Sequence, residues 1–375
     1  MKATVYFILL CCACTAVFGQ AKVDEALLLD YYQNQRFADA STYLKTVYTE
    51  PVTDLKALSQ LAYTANMAGK LPEAEAYYQR IHDIDSTKTG VLFSLGSINL
   101  RRGNLQKAEL YYKQIVAKDT TNFVVYKQLA QICQDKNDIA GHIVYLQMAN
   151  KLNPAEPDVA ADLSARYIDV KMIALAEQVL TKAVTADPEN STLLESLMKL
   201  TYAQKKWPET IEICLKLIRN GNESGQVKTK LGVSYFNLKN YICGAETFAD
   251  IPDIYQSEFT YYYAAMCYKA LKDHKNAIAF LEKAIQDGIS TSIASYYGEI
   301  ADSNEKLKRN KTAVRAYQKG LQFEESRMIY YSLANLYETG LRDKTNARKY
   351  YKKYLATKPP EKEAKYIAYA KSVVK

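Results

Sequence analysis

Three histidines, His82, His142 and His274, are the side chains best suited to moving a proton near neutral pH, and each stands alone in the chain. None has a Ser or Cys companion that would make a nucleophile and base pair. Carboxylates such as Glu73, Glu75, Asp83 and Asp85 could serve acid and base chemistry, but their spacing assigns them to helix surfaces and helix ends. Cys133, Cys214, Cys243 and Cys267 form no Cys-x-x-Cys pair and have no His at metal-ligand spacing, so they read as free, buried thiols, with a disulfide left open for an exported chain. A phosphate-cradling Gly-x-x-x-x-Gly-Lys loop, a His-Glu-x-x-His pair and a Gly-x-Ser-x-Gly turn are all missing from the sequence. The expectation is a chain that is not an enzyme and holds no metal or cofactor.

Aromatic chemistry is the alternative, since the 375 residues include 32 tyrosines. Their placement follows a repeat. Ala74 in Leu71-Pro-Glu-Ala-Glu-Ala-Tyr-Tyr and Ala108 in Leu105-Gln-Lys-Ala-Glu-Leu-Tyr-Tyr stand 34 residues apart. The same step reaches Ala40, His142, Ala176 and Thr210, and each of the six has an apolar residue four places on: Leu44, Tyr78, Tyr112, Leu146, Leu180 and Cys214. Twelve places before the anchors stand Leu28, Ala62, Gly96, Ala130, Ser164 and Met198, most of them small. Gly244, Ala277, Ala313 and Ala347 continue the series at intervals of 33, 36 and 34. Apolar residues recur every three or four places inside each unit, so each is a pair of helices with one buried face, packed closely at the small positions. Gly69-Lys70, Gly103-Asn104, Asn137-Asp138 and Lys239-Asn240 mark the turn inside a pair, while Asn153-Pro154 and Asp187-Pro188 end the second helix.

Leu92-x-x-Leu95-Gly96, Gly103-Asn-Leu, Ala108 and Tyr112 resemble the tetratricopeptide repeat, as do Leu129-Ala130, Ala149 and Pro154 one unit on. Residues 157 to 188 match again through Leu163-Ser164, Tyr167, Ala176, Leu180, Ala183 and Pro188. The resemblance covers about residues 21 to 360 and implies an all-α, right-handed superhelical solenoid of about ten helix-turn-helix units. Residues 361–375 form the C-terminal capping helix, with Tyr366, Tyr369, Ala370, Val373 and Val374 inward and Lys362, Lys365, Lys371 and Lys375 in water. His142 departs from the pattern by filling a small-residue slot. Pro252 cuts a second helix short, and the turn-rich run Asn220–Gly225 suggests a hinge near residue 222. The expected organisation is a leader at 1–19, repeats one to six at 20–222, repeats seven to ten at 223–360, and the cap at 361–375.

In the family the first helices line a groove. The resemblance puts Tyr63, Phe93, Lys127, Gln131, Lys199, Tyr202, Phe236, Tyr262, Tyr331 and Asn335 there, with Phe236, Tyr262 and Tyr331 as the foremost aromatic anchors. Tyr78, Tyr112, Tyr167, Tyr235, Tyr268 and Tyr317 fall at core slots instead. Family members that clamp a C-terminal carboxylate carry Lys-x-x-x-Asn, then Asn, then Lys-x-x-x-Arg. Here the corresponding Lys127 and Gln131, Asp162, and Thr192 and Ser196 depart from that set, which argues against a carboxylate clamp.

Met1, Lys2 and an apolar run from Val5 to Val17 before Phe18-Gly19-Gln20 have the form of a secretory leader cut after Gly19. Export to the periplasm or envelope is expected if the source is a Gram-negative bacterium; Cys11, Cys12 and Cys14 fit a lipoprotein tether poorly. The formal charge is +8, and residues 305–375 hold 18 Lys/Arg against 7 Asp/Glu, a basic end suited to an anionic surface or to a solvated face. Nucleic acid is not expected, because no reading module is present. The sequence thus points to a scaffold that holds a protein or peptide segment in its groove, with a glycan or cell-wall ligand stacked on the same tyrosines as the alternative.

Overall fold

The computed structural model describes residues 22–288 and 290–375, so the leader expected at 1–19, with Cys11, Cys12 and Cys14, lies outside the described residues. The described chain forms an all-α repeat solenoid in two compact units, one up to Pro154 and one from Ala155. The first holds four hairpins: α1 (Glu25–Gln33) with α2 (Phe37–Val47), α3 (Leu55–Met67) with α4 (Leu71–Ile84), α5 (Thr89–Arg101) with α6 (Leu105–Lys118), and α7 (Phe123–Asp135) with α8 (Ile139–Leu152). The second holds six. They are α9 (Pro157–Asp169) with α10 (Ile173–Ala186), α11 (Ser191–Ala203) with α12 (Trp207–Arg219), and α13 (Gly225–Asn237) with α14 (Tyr241–Ala249). There follow α15 (Glu258–Ala270) with α16 (His274–Asp287), α17 (Ile293–Lys306) with α18 (Asn310–Phe323), and α19 (Arg327–Asn335) with α20 (Lys344–Ala356). A last helix, α21 (Ala364–Val374), covers the final hairpin. Among the described residues no helix is long and apolar enough to cross a membrane.

Small residues let the two helices of a hairpin meet. All ten anchors, from Ala40 to Ala347, are buried, including His142 and Thr210. A β-carbon on Gly96 would stand 2.7 Å from the Tyr112 ring, and one on Gly232 would stand 2.8 Å from the Phe248 ring. Only glycine admits those rings without displacement.

Each hairpin turns through one residue in the left-handed region. In the first unit these are Gln35, Gly69, Gly103 and Asn137, and in the second Lys171, Lys205, Lys239, Lys272, Lys308 and Arg342. In the first nine the next amide donates back to the carbonyl five residues earlier, as in Asn104 to Asn99 and Met172 to Tyr167, and in the last Asp343 donates to Tyr337, six residues earlier. That bond caps the first helix, and glycine suits the position because it lacks a β-carbon. The cationic turns of the second unit carry the same geometry without glycine, so sequence alone signals them weakly.

Pro252 has the expected effect. α14 has nine residues where other second helices have up to fourteen, and the Gln256 amide donates to the carbonyls of Phe248 and Ile251, both at 2.9 Å. These bonds occupy acceptors that a longer helix would have paired. The capping helix buries Ala370 and packs Ile367, Val373 and Val374 against the last core cluster, while Lys362, Lys365, Lys371 and Lys375 are exposed. Of the tyrosines assigned to the core, Tyr112, Tyr167 and Tyr317 are buried, whereas Tyr78, Tyr235 and Tyr268 are half-buried. Tyr77, Tyr126, Tyr296, Tyr330, Tyr350, Tyr351 and Tyr354 are buried as well.

Candidate functional site

In the first unit, Tyr63 is exposed and meets Tyr32 and Phe37 edge-on at 5.6 and 6.0 Å. Phe93 touches Tyr112 at 5.6 Å and lines a shallow hollow of about 340 Å³ with Gly90, Asn122 and Val124. The Lys127 ammonium lies 5.7 Å from the Phe123 ring, and the exposed Gln131 amide donates to Asp135 at 2.9 Å.

In the second unit the expected anchors spend much of their surface on one another. Phe236 packs edge-on against Tyr241 and Tyr263, and Tyr262 lies 5.2 Å from Tyr296. Tyr331 sits among Tyr351, Tyr354 and Tyr366, at 5.6, 5.2 and 4.7 Å. The Asn335 carbonyl accepts from the Thr339 hydroxyl. Lys199 is half-buried, and Tyr202 packs edge-on against Trp207 at 5.6 Å.

Tyr202 also belongs to a pocket that the other expected residues do not line. Its volume is about 360 Å³, and Gln226, Thr229 and Lys230 from the first half of α13 form one wall. Tyr255 and Phe259 form the other wall. The Lys230 ammonium stands 4.2 Å from the Tyr202 ring centre, a cation over the face of an aromatic ring. Burial pushes the Lys230 pKa below the ordinary lysine range; Cys214 opposes this and the nearby charge of Lys199 adds to it. No carboxylate among the described residues pairs with it, which leaves a cation facing the cavity without a counter-charge. In the opposite wall Tyr255 is 57% exposed and Phe259 44%, and Ile254, next to Tyr255 in the chain, is 82% exposed. These apolar side chains follow directly from the break at Pro252, which turns the chain outward where a longer helix would have buried it. Tyr255 reaches back onto Gly225, where a β-carbon would stand 2.6 Å from the Tyr255 β-carbon.

A second pocket, of about 640 Å³, lies between α15, α17 and α19. Its lining is acidic, with Glu299, Asp302, Glu324 and Glu325 against Lys269 and Arg327, and with Gly298 and Met328 between them. Lys269 pairs with Glu299 and, at 2.7 Å, with Asp302. Burial opposes the Lys269 charge, but the hydrogen bonds it donates to Asp302 and Glu299 outweigh that and hold the pKa above the ordinary lysine range. This cation is therefore already engaged, unlike Lys230.

Nucleophilic chemistry has little support in these surroundings. The four cysteines are free, and burial raises the thiols of Cys214 and Cys267 to about 12. Among the described residues no group of His, Cys, Asp and Glu could hold a metal ion.

Ten helical hairpins, stacked in two units with hollows along their first helices, define a repeat solenoid, a class that serves as a scaffold for protein–protein interaction. Residues 26–88, 260–286 and 329–360 match models of the tetratricopeptide repeat, and the chain is a tetratricopeptide repeat protein. A tetratricopeptide repeat protein from Parabacteroides merdae is 16% identical, with a TM-score of 0.42, over 75% of this chain and 98% of that one. The C-terminal part of a repeat-containing protein from Cytophaga hutchinsonii is also 16% identical, with a TM-score of 0.47, over 72% of this chain and 98% of that one. No curated protein matches the sequence.

Proposed function

We propose that the chain is an exported adaptor that holds a segment of a partner protein along the first helices of its second unit, with its centre at the Tyr202–Lys230 pocket. The observation that carries this reading is the join of an unpaired cation to an exposed apolar rim. Lys230 offers one charge, and Ile254, Tyr255 and Phe259 offer contact area that the fold itself leaves uncovered. A peptide with apolar side chains beside an acidic one complements that combination. The glycan alternative is less well supported, because Phe236, Tyr262 and Tyr331 already face neighbouring rings. Export and an envelope location belong to the same proposal, resting on the leader-like residues 1–19. A native protein whose N-terminus is Gln20 would support that part, and an uncut Met1 would overturn it.

The test places a photo-crosslinking residue at Gln226, an exposed position in the pocket wall, and recovers partners from a native envelope extract. A single protein at near-equal stoichiometry is expected. Its recovery should fall by about thirtyfold or more in a Tyr255→Ala, Phe259→Ala variant, the loss that follows from removing aromatic anchors worth about 2 kcal/mol or more. Equal recovery with the variant would refute the site. Wall or glycan material without a protein would favour the alternative.

A further inference from the structure

Residues 305–375 differ from the first unit in what their charges do. In the first unit cations are met by carboxylates: Glu75 holds Arg102 and Lys107, and Glu109 holds Lys113 and Lys136. Among residues 305–375, Arg327 alone of the 18 Lys/Arg residues pairs with a carboxylate, that of Glu363 at 2.9 Å. Tyrosines explain the difference. The hydroxyls of Tyr317, Tyr330, Tyr351 and Tyr354 donate to Glu305, Glu325, Glu338 and Glu363, at 2.8 to 3.0 Å. Of those carboxylates Glu363 is buried and Glu305 and Glu338 half-buried, and the lysines outside have no carboxylate partner.

The uncompensated cations stand in rows. Lys311, Arg315 and Lys319 follow one another every four residues along α18, as do Lys344, Arg348 and Lys352 along α20, and all six are exposed. Spacing of four keeps each row on one helix face. The rows belong to one surface, because the Gln318 amide of α18 reaches the Tyr350 hydroxyl of α20 at 3.4 Å. Beyond α20, the Arg348 guanidinium donates to the Val373 carbonyl of α21 at 3.1 Å. Like charges held so close repel one another, a cost that a purely solvated face could avoid by alternating sign as the first unit does.

We propose that this outer face of α18, α20 and α21 docks on the surface of an anionic lipid bilayer. Two features favour a bilayer over a soluble polyanion. Thirteen of the 18 cations are lysines, flexible point charges that suit mobile headgroups better than the fixed two-pronged contacts of arginine. An exposed ring also accompanies them: Phe323, 56% exposed, stacks on Tyr297 at 5.8 Å, and the Lys319 ammonium lies 4.9 Å from the same ring. An exposed ring four residues beyond Lys319, on the same helix face as its row, suits the boundary between headgroups and acyl chains. This inference is independent of the groove, since the two surfaces share no residue.

The test uses residues 20–375, which contain every helix described and lack the apolar run at the N-terminus that could itself bind lipid. Sedimentation is measured with vesicles of phosphatidylcholine alone and of phosphatidylcholine mixed with phosphatidylglycerol. Binding to the mixed vesicles only, weakened by added salt, is expected. Replacing Lys311, Lys344, Lys352 and Lys365 by Gln should weaken it about fivefold per charge, several hundredfold in all. The same four positions changed to Arg should retain binding, and Lys56→Gln with Lys113→Gln in the first unit should leave it unchanged. Equal binding to neutral vesicles, no binding to either, or full binding by the Gln variant would overturn the proposal. So would retention of soluble polyglutamate in preference to the mixed vesicles, which would make the partner an acidic polymer. Unchanged helicity of the Gln variant separates lost binding from lost fold.

Discussion

Lys230→Met removes a half-buried charge while keeping a flexible apolar chain of similar length in the pocket wall. In the wild type the ammonium has lost part of its hydration and gains no carboxylate in return. The Tyr202 ring at 4.2 Å returns about 0.5–2 kcal/mol, while burial and the like charge of Lys199 both disfavour the ammonium and lower its pKa. The variant should therefore be more stable, by about 1 kcal/mol, which for a unit of this size raises Tm by about 2–4 °C. The sign of the pH dependence follows from the direction of the shift. With the folded pKa below the unfolded one, the unfolded chain binds more protons in the window between them, so the wild type gains stability as pH rises through that window. The advantage of the variant should be full at pH 7 and shrink toward the unfolded lysine value of about 10.4. Thermal melts followed by helicity at pH 7 and near pH 10, with hydrogen exchange across α13, read both effects. Partner capture should weaken in the same variant, since a residue that costs stability and serves binding trades one for the other. A variant less stable than wild type at pH 7, or an advantage that grows with pH, would refute the account of Lys230 as an uncompensated charge.

Glu109→Gln should cost the first unit about 1–2 kcal/mol at neutral pH, because the carboxylate holds both Lys113 and Lys136 and has its pKa lowered by those two hydrogen bonds. That stability is present above the unfolded Glu value and is lost as pH falls through the lower folded one, so acid melts of the variant should show a smaller loss below about pH 4.3 than the wild type. Gly232→Ala should destabilise the second unit by about 1–3 kcal/mol despite alanine's better helix propensity, because its β-carbon would stand 2.8 Å from the Phe248 ring; an unchanged midpoint in urea would show that the ring can yield.

The repeat was legible because burial at a helix crossing restricts side-chain size. Every anchor from Ala40 to Ala347 is buried where the periodicity put it, and Pro252 shortens α14 for the reason its missing amide supplies. The hairpin turns were less legible. Gly103 announces a left-handed residue, whereas Lys171, Lys205 and Lys272 adopt the same conformation and look like ordinary surface lysines in sequence. The site was harder still, because the family pattern gives the face on which a side chain lies and not what else competes for it. Tyr262 and Tyr331 stand on first helices, yet rings from adjacent helices cover much of them. Lys230 carries no motif, and its isolation depends on which carboxylates are absent around it, a three-dimensional fact.

Ile254, Tyr255 and Phe259 did leave a signal. Ile254 and Tyr255 stand in the short connection after a proline that ends a helix, and Phe259 stands seven positions after that proline, in the first turn of α15. An apolar cluster in such a connection either folds back into the core or stays outside. Ile251 is buried and takes the inward place, which leaves the side chains after Pro252 on the rim. The same break that truncates α14 thus builds the apolar wall opposite Lys230. Shortening one helix of a repeat is how this array departs from uniform packing and gains a surface that the other hairpins lack.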